Sequence, residues 1–413
     1  MKKLVLFDSF SKKEEMIYDS ILYFNQENNN LNGLVFEDQS FLPNEITSIY
    51  DTYIGEWEFE RMIKDIYYAF IPLPNYYIVE PTFERGSVYD MGQRKAEIYV
   101  RNPVEKRFVE RVEWLKDDTV VRKDYYDRYG FVYKRDYFNK DGNLLETSWY
   151  TSKNKEVLFL NHSNRVFGSL MRNNNKKYYH EMKDWIKEYL YNIFNNYERV
   201  IITSNSQKDM LIENFNVKVI DCSFFENSDN ATNSICFVSK ETIKRIENKK
   251  TTSDILILTT SDQLESLEEI VSALPKCHFH VAAHTAFSQK IYALENKCNN
   301  VFLYSSIDED ELKKLFNKCA LYLDINQSYS YPYSIEQAAL YGLVIMKFND
   351  IHHADHYFLD ENVFSIDDIK QMIFIIQDLT GDLDKMKSIA IKQHQFHVYK
   401  LCQYMKGLLQ YDL

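Results

Sequence analysis

The hydrophobic positions change period along the chain, and each change marks an element boundary. Lys3 to Phe7 reads as a buried strand, and Ser11-Lys-Lys-Glu14 has the capping-box form that opens a helix, with Ile17, Ile21 and Phe24 on one face. Gly33 to Glu37 gives a second strand, so the chain starts β-α-β and predicts a parallel sheet. From Phe41-Leu-Pro-Asn44 to Pro81 the alternation is lost. Ile71-Pro-Leu-Pro74 marks a departure into an inserted element.

That insert has its own rhythm. Trp114, Tyr126, Phe138 and Tyr150 recur every twelve residues, and turn-prone residues follow each of them, including Lys116-Asp117-Asp118, Asp127-Arg128-Tyr129-Gly130 and Asn139-Lys140-Asp141-Gly142. Twelve residues hold one strand and a tight turn, and Gly142 supplies the positive φ a hairpin asks for. An antiparallel meander is predicted. Its first strands are Ala96–Val100 and Phe108–Trp114. The segments between turns mix β-branched, aromatic and charged residues, as a sheet with one covered and one wet face does. Such a sheet either packs only within its own domain or docks a partner through Trp114, Tyr126, Arg128, Phe138, Trp149 and Tyr150; both readings stand.

Helical period returns in Tyr179 to Tyr197, where Met182, Trp185, Ile186, Tyr189, Leu190, Ile193 and Phe194 form one wide apolar stripe. Arg199–Thr203, a helix near Gln207 to Asn214, and Val217–Asp221 resume the β-α-β pattern. From Ser253 strands and helices alternate at short intervals. Ile255–Leu258, His278–Ala282, Val301–Tyr304, Leu321–Ile325 and Val344–Phe348 are strands, with helices at Leu264–Leu274, Gln289–Asn296, Glu309–Lys318 and Ser334–Tyr341. This is a doubly wound parallel sheet, whose ligands bind beyond the carboxyl ends of the strands. The predicted class is α/β, with two Rossmann-like domains facing a cleft. The first is discontinuous, 1–70 plus 164–245; the meander occupies 71–163, the second Rossmann-like domain 246–384, and a final helix 385–413.

Composition narrows the chemistry. The 413 residues carry 49 Lys and Arg against 61 Asp and Glu, a net charge of −12, which opposes attachment to nucleic acid. The six cysteines, Cys222, Cys236, Cys277, Cys298, Cys319 and Cys402, form no CxxC pair and read as small core residues of a reducing compartment. Met1 to Phe7 is too short an apolar run for a signal peptide, and no later stretch approaches a membrane span. A cytoplasmic protein is expected, at most peripheral at the inner face of the membrane. The Asn-rich runs Asn28–Asn30 and Asn173–Asn175 read as surface loops.

The run Leu323-Asp-Ile-Asn-Gln-Ser-Tyr-Ser-Tyr-Pro-Tyr-Ser-Ile-Glu336, continuing to Gly342 and Ile345, is similar to the donor-site segment of retaining glycosyltransferases with the GT-B fold. In those enzymes two acids spaced E-x7-E hold the donor sugar and the ribose. Glu336 matches the second; the first falls on Ser328. Those enzymes also place an Arg and a Lys after the strand matching Ile255–Leu258, where this chain has Asp262, Glu265, Glu268 and Glu269 and no cation. A pyrophosphate needs donors or cations, and an acidic loop repels it.

Further segments fit one family. Phe41-Leu-Pro, Asp90-Met-Gly, the meander after Trp114, Ser261-Asp-Gln-Leu-Glu265, Val281-Ala-Ala and Tyr322-Leu-Asp-Ile-Asn326 together resemble the GtfB-type stabilising subunits of bacterial accessory-Sec O-GlcNAc transferases, which modify serine-rich repeat adhesins. The resemblance spans nearly the whole chain. It implies a GT-B fold without transferase activity, no cofactor of its own, and a catalytic GtfA-type partner that uses UDP-GlcNAc. It further implies that the meander joins the two subunits and that this subunit holds the Ser/Thr-rich acceptor polypeptide.

Thr259, Ser261, Ser305, Ser328, Tyr329 and Glu336 are the candidate acceptor-binding residues, and Glu336 either caps its helix or contacts the acceptor. Tyr329, Tyr331 and Tyr333 alternate before it; phenol rings pair flat apolar area with a hydrogen-bonding tip, which suits a sugar-bearing ligand. His352 and His356 sit one helical turn apart without the glutamate of a metalloprotease motif, so no metal is assigned. Ser204, Ser206, Ser305 and Ser306 lack a nucleophile elbow and read as helix caps. An active retaining glycosyltransferase and a purely structural chaperone of the catalytic subunit are the alternative readings.

Overall fold

The structure, a computed structural model, describes residues 2–25, 31–39, 41–55, 66–82, 85–101, 107–170, 175–212, 218–227 and 235–405. The asparagine runs, the end of the helix expected to reach Asn214, and the final residues from 406 lie largely outside them. Two compact units form, the first from Met1–Phe10, Asn32–Ile201 and Asp209–Val219, the second from Ser11–Leu31, Ile202–Lys208 and Ile220–Leu413.

In the first unit a five-stranded sheet has the order Lys218–Asp221, Arg199–Ile202, Lys3–Phe7, Leu31–Val35, Ile46–Ser48. The last strand and the helix Ile49–Gly55 lie where the sequence shows no alternation, because the strand is only three residues long. Ile46 pairs with Gly33, in parallel, and its side chain fills the space over that glycine.

The meander has ten strands in sequence order, from Ile78–Pro81 at one edge to Lys176–Tyr179 at the other. It therefore extends beyond residue 163, where the sequence reading ended it: Val166–Leu170 pairs onto Glu156–Asn161, and Lys176–Tyr179 onto Val166–Leu170. Two-residue turns at Met91-Gly92 and Asp117-Asp118 have positive φ at both positions, and Gly142 has φ +80°, the geometry that matches the twist of a hairpin.

Along the middle strands of this sheet most residues are half-buried, and the polar side chains neutralise one another. Asp124 is buried; it accepts from Trp114 Nε1 at 2.7 Å and meets Arg122 Nε at 2.9 Å and Arg135 Nε at 3.3 Å. Glu113 lies between Arg111 (3.0 Å) and Lys123 (2.9 Å); burial alone raises its pKa, but the two cations bring it below the usual value. Arg111, Lys134 and Arg135 lie over the rings of Tyr99, Tyr125 and Tyr150. Where the sheet has a second layer, Trp149 stacks on Tyr50 at 4.9 Å and Phe167 packs on Trp185 of the helix Met182–Phe194 at 5.2 Å.

The second unit centres on a six-stranded parallel sheet ordered Val301–Ser305, His278–Ala283, Asp254–Thr259, Leu321–Asp324, Val344–Phe348, Val363–Phe364. Its inner strands are buried on both faces, so they read as continuous apolar runs. The final helix, Leu383–Cys402, belongs to this unit instead of standing apart: Gln393 accepts from Ile345 N at 3.0 Å and donates to Leu343 O at 2.9 Å. Ser11 caps the helix Lys12–Phe24 as its capping box predicts, and Ser20 Oγ accepts from Val238 N at 3.1 Å.

Candidate functional site

Strand order in the C-terminal sheet reverses at Asp254–Thr259. Chain order runs outward through His278–Ala283 on one side and through Leu321–Asp324 on the other. The crevice beyond the carboxyl ends of those two middle strands is where an open α/β sheet binds its ligand. Here the loops on its two sides are sewn together. Ser261 Oγ and Ser328 Oγ are 2.8 Å apart, Thr260 Oγ1 donates to Tyr329 O at 2.9 Å, Gln327 N to Gln263 O at 3.0 Å, and Glu265 N to Ile325 O at 2.8 Å. Asn326, fully buried, ties the base by donating to Leu258 O at 2.8 Å and to Asp324 Oδ1 at 3.1 Å.

The electrostatics point the same way. Asp262 and Glu265 sit on the sewn loop, with Glu268 and Glu269 in the helix that follows. Lys347, at the end of the next strand, is buried and committed to Asp355 and to Ile351 O. His353 Nδ1 meets the carboxylate of fully buried Asp324 at 2.9 Å, and that bond raises the imidazole pKa. Beside the loop, a groove of about 510 Å³ is lined by Asp262, Leu264, Glu268, Glu269, Lys290 and Ile291 among others.

Of the six residues expected to hold an acceptor, the structure brings Thr259, Ser261, Ser328 and Tyr329 to one place. Thr259 is buried, and its Oγ1 accepts from Ser261 N at 3.1 Å, whereas Tyr329 is 87 % exposed. Ser305 ends the edge strand, in register with Ala283, which pairs with Thr259: the same sheet end, two strands away. Glu336 lies half-buried in the first turn of the helix Ser334–Leu340, which Tyr333 enters with φ +54°. Sequence reading passed over His284, whose ring stacks on Tyr331 at 4.2 Å with Nδ1 3.1 Å from the phenol oxygen. A lone histidine after a strand carries no signal of that pairing.

The six meander residues need a correction. Tyr126, Trp149 and Tyr150 are 4 %, 3 % and 7 % exposed, and they pack inside the first unit. Trp149 stacks on Tyr50, Tyr126 joins the core with Val88, Ile98 and Val112, and Tyr150 lies under Arg135, so these rings are taken up within the chain. Trp114 and Phe138 are half-buried under Arg122 and Lys123, and Arg128 donates to Leu42 O. Exposed apolar side chains lie instead near the Ile78–Pro81 edge: Phe70, Tyr76, Ile78 and Met91.

His352 pairs with Asp355 in solvent, while His356 turns inward to Ile235 O at 3.1 Å, and burial lowers its pKa. No group of three or more His, Cys, Asp or Glu among the described residues is arranged to hold a metal ion. Ser204 Oγ is 3.0 Å from Ser206 Oγ and accepts from Gln207 N, as a helix-start residue does. The six cysteines are free.

The sheet at 254–364 and the groove at its carboxyl end define a glycosyltransferase-like protein of the GT-B class. Comparison with solved structures agrees. A chain of the GtfA/B complex bound to UDP and GlcNAc superposes with a TM-score of 0.66 at 20 % identity over 98 % of this chain and 100 % of that one. A chain in the structure of accessory secretory proteins 1, 2 and 3 of Streptococcus pneumoniae gives 0.71 at 13 % identity, over 99 % and 100 %. TarM gives 0.55 at 12 % identity, over 99 % of each chain.

Residues 77–181 match the GtfB middle domain and residues 255–393 the GftB/GlyA-F C-terminal domain. The UDP-N-acetylglucosamine–peptide N-acetylglucosaminyltransferase stabilizing protein GtfB of Streptococcus agalactiae is 26 % identical over 92 % of this chain and 93 % of its own length. That of S. pneumoniae is 24 % identical over 95 % and 96 %. The chain thus carries the middle and C-terminal domains of the GtfB family and is similar to its stabilising proteins along nearly its whole length.

Proposed function

We propose that this protein is the non-catalytic, acceptor-binding and stabilising subunit of a protein O-GlcNAc transferase that glycosylates Ser/Thr-rich repeat adhesins before accessory-Sec export. The observation that carries the reading is the sewn crevice. Where a transferase receives a nucleotide-sugar, Ser261–Ser328 and the bonds around them occupy the switch point, and four carboxylates stand where a pyrophosphate needs cations. UDP-GlcNAc is then used by the catalytic GtfA-type partner, and this chain needs no cofactor. This chain's place is the cytoplasm, with contact to the inner membrane face at most peripheral.

The loops at the carboxyl end of the C-terminal sheet hold the acceptor. They offer serine hydroxyls, the exposed ring of Tyr329 and a long acidic border, which suit an extended polar chain bound through many weak contacts. Partner docking is carried by the open Ile78–Pro81 edge and the exposed rings near it, which gives backbone pairing plus apolar area. The test is calorimetric titration of the purified protein with UDP-GlcNAc and, separately, with a Ser-rich repeat peptide. Peptide binding without nucleotide-sugar binding is expected; nucleotide-sugar binding sinks the reading and makes the chain an enzyme.

A further inference from the structure

The groove beside the sewn loop is built on two helices that carry none of the acceptor candidates. These helices, Leu267–Ala273 and Gln289–Lys297, connect three strands that are neighbours in the sheet, Asp254–Thr259, His278–Ala283 and Val301–Ser305. Parallel strands joined in that order by right-handed crossovers carry both helices on one face. The two are tied together there. Glu268 of the first is bonded to Lys297 of the second, and Asn300 Nδ2, just past the second, donates to Val271 O at 3.2 Å and to Leu274 O at 3.1 Å.

The floor of the groove is aliphatic: Leu264 and Leu267 line it from one side, Ile291 and Leu294 from the other. Its rim is acidic. Asp262, Glu268 and Glu269 stand against Lys290, the one cation among the described lining residues. Among the described residues neither Asp262 nor Glu269 has an ion-pair partner, and Glu269 is exposed. The meander, by contrast, sets its buried acids between cations, Glu113 between Arg111 and Lys123 and Asp124 between Arg122 and Arg135. At the groove two carboxylates keep their charge unanswered.

Shape and charge select the occupant. The volume of about 510 Å³ falls within the roughly 300–1,000 Å³ of sites that enclose a bound group. A nucleotide or any other anion is opposed by the rim, and a Ser-rich polar chain gains little from an aliphatic floor. A helix with apolar residues on one side and Lys or Arg flanking them satisfies both surfaces. Its apolar side chains cover the floor, and its cations, whose methylene stems are themselves apolar, reach Asp262 and Glu269. Two helices lying side by side offer a third helix a channel between their ridges.

We infer that this groove docks a basic amphipathic helix of a protein partner. The inference stands apart from the acceptor-binding reading, because its occupant is a segment with helical apolar period and not a Ser/Thr-rich repeat. Such a site gives the second unit a recognition surface of its own, chemically unlike the strand edge that the first unit offers at Ile78–Pro81.

The test is fluorescence anisotropy of the full chain with a labelled Leu/Lys peptide of about eighteen residues in helical period, against a Leu/Glu peptide of the same pattern. Glu269→Lys reverses an unpaired rim charge, and Ser272→Trp, at an exposed position of the same helix, fills the groove. One acts by charge and the other by volume, so misfolding of either, read as a lowered melting temperature, leaves the other to decide. Asp141→Lys, exposed in a meander turn, makes the same charge change in the first unit. Expected are an affinity for the Leu/Lys peptide about tenfold or more above that for Leu/Glu, a loss of about tenfold in each groove variant, and no loss in D141K. Affinity that survives both groove variants overturns the inference, as does an equal loss in D141K, which would mean attraction to net charge alone. Equal binding of the two peptides overturns it too. Displacement of the probe by a Ser-rich repeat peptide would give the groove to the acceptor, and displacement by spermidine at the same concentration would give it to a small cation; either result overturns the inference.

Discussion

Ser261 and Ser328 face one another with hydroxyl oxygens 2.8 Å apart, although they follow different strands of the C-terminal sheet. By the resemblance to retaining GT-B transferases, Ser328 stands where an acid is expected. Restoring that acid with Ser328→Glu breaks the contact and adds charge next to Asp262 and Glu265. The variant is expected to bind no UDP-GlcNAc in calorimetry and to lose about 1–2 kcal/mol in urea unfolding. Measurable nucleotide-sugar binding would show that the bonded loops do not by themselves keep such a ligand out.

Asp124 holds Trp114, Arg122 and Arg135 together in the middle of the meander. Asp124→Ala leaves two guanidinium groups facing each other without their counter-ion. Buried pairs cost about 3–5 kcal/mol when broken, and since both arginines are partly exposed a loss of about 2–3 kcal/mol is expected, read as a lower urea midpoint. A change under half of that would make the cluster a solvated surface.

Asp254 supplies an acid-sensitive anchor. Burial raises its pKa, but the bond from His280 at 2.9 Å and the ion pair with Lys318 at 3.2 Å outweigh it and lower the value to about 2. A depressed carboxylate binds fewer protons folded than unfolded, so its contribution is complete above about pH 4, the model-peptide value, and is lost as the pH falls towards 2. Asp254→Asn should flatten stability across that window; an unchanged acid slope in thermal melts would remove Asp254 as its source.

The meander edge can be tested without touching its core. Tyr76 and Ile78 are 68 % and 65 % exposed, so Tyr76→Glu with Ile78→Lys should leave the melting temperature within a degree or two of wild type, as surface changes do. The same pair should release a co-expressed catalytic subunit on size-exclusion chromatography. Co-elution that survives places docking elsewhere on the chain.

Gly342 ends the helix Ser334–Leu340 with φ +72°; its N–H reaches Ala339 O and the next N–H reaches Ala338 O. A β-carbon there would come within 2.4 Å of Ile246 Cγ1. Gly342→Ala should cost about 1–3 kcal/mol by both strain and crowding. Calorimetric unfolding reads it, and a neutral result would mean that Ile246 moves freely.

The C-terminal sheet was legible because its strands are buried on both faces, and Glu309–Lys318, read with the bounds it has, is capped in the structure by Asp308. Ile46–Ser48 went unseen: three residues are too few to show a period, and its pairing with Gly33 is tertiary. The twelve-residue aromatic spacing revealed strands and turns but not sides, so it left packing and docking both open for Tyr126 and Tyr150, which are buried. At the site, the missing acid and cations were visible as residue identities. The sewing was not, because Thr260 and Tyr329 lie 69 positions apart and nothing local announces their bond.

The charge pairing inside the meander also bears on how two subunits find one another. Away from its Ile78–Pro81 edge, a sheet that supplies its own counter-ions presents little that accidental company can adhere to. Copies made in excess of the partner would stay dispersed, and the choice of companion would fall to the uncommitted backbone beside Ile78, where strand geometry discriminates and mere stickiness does not.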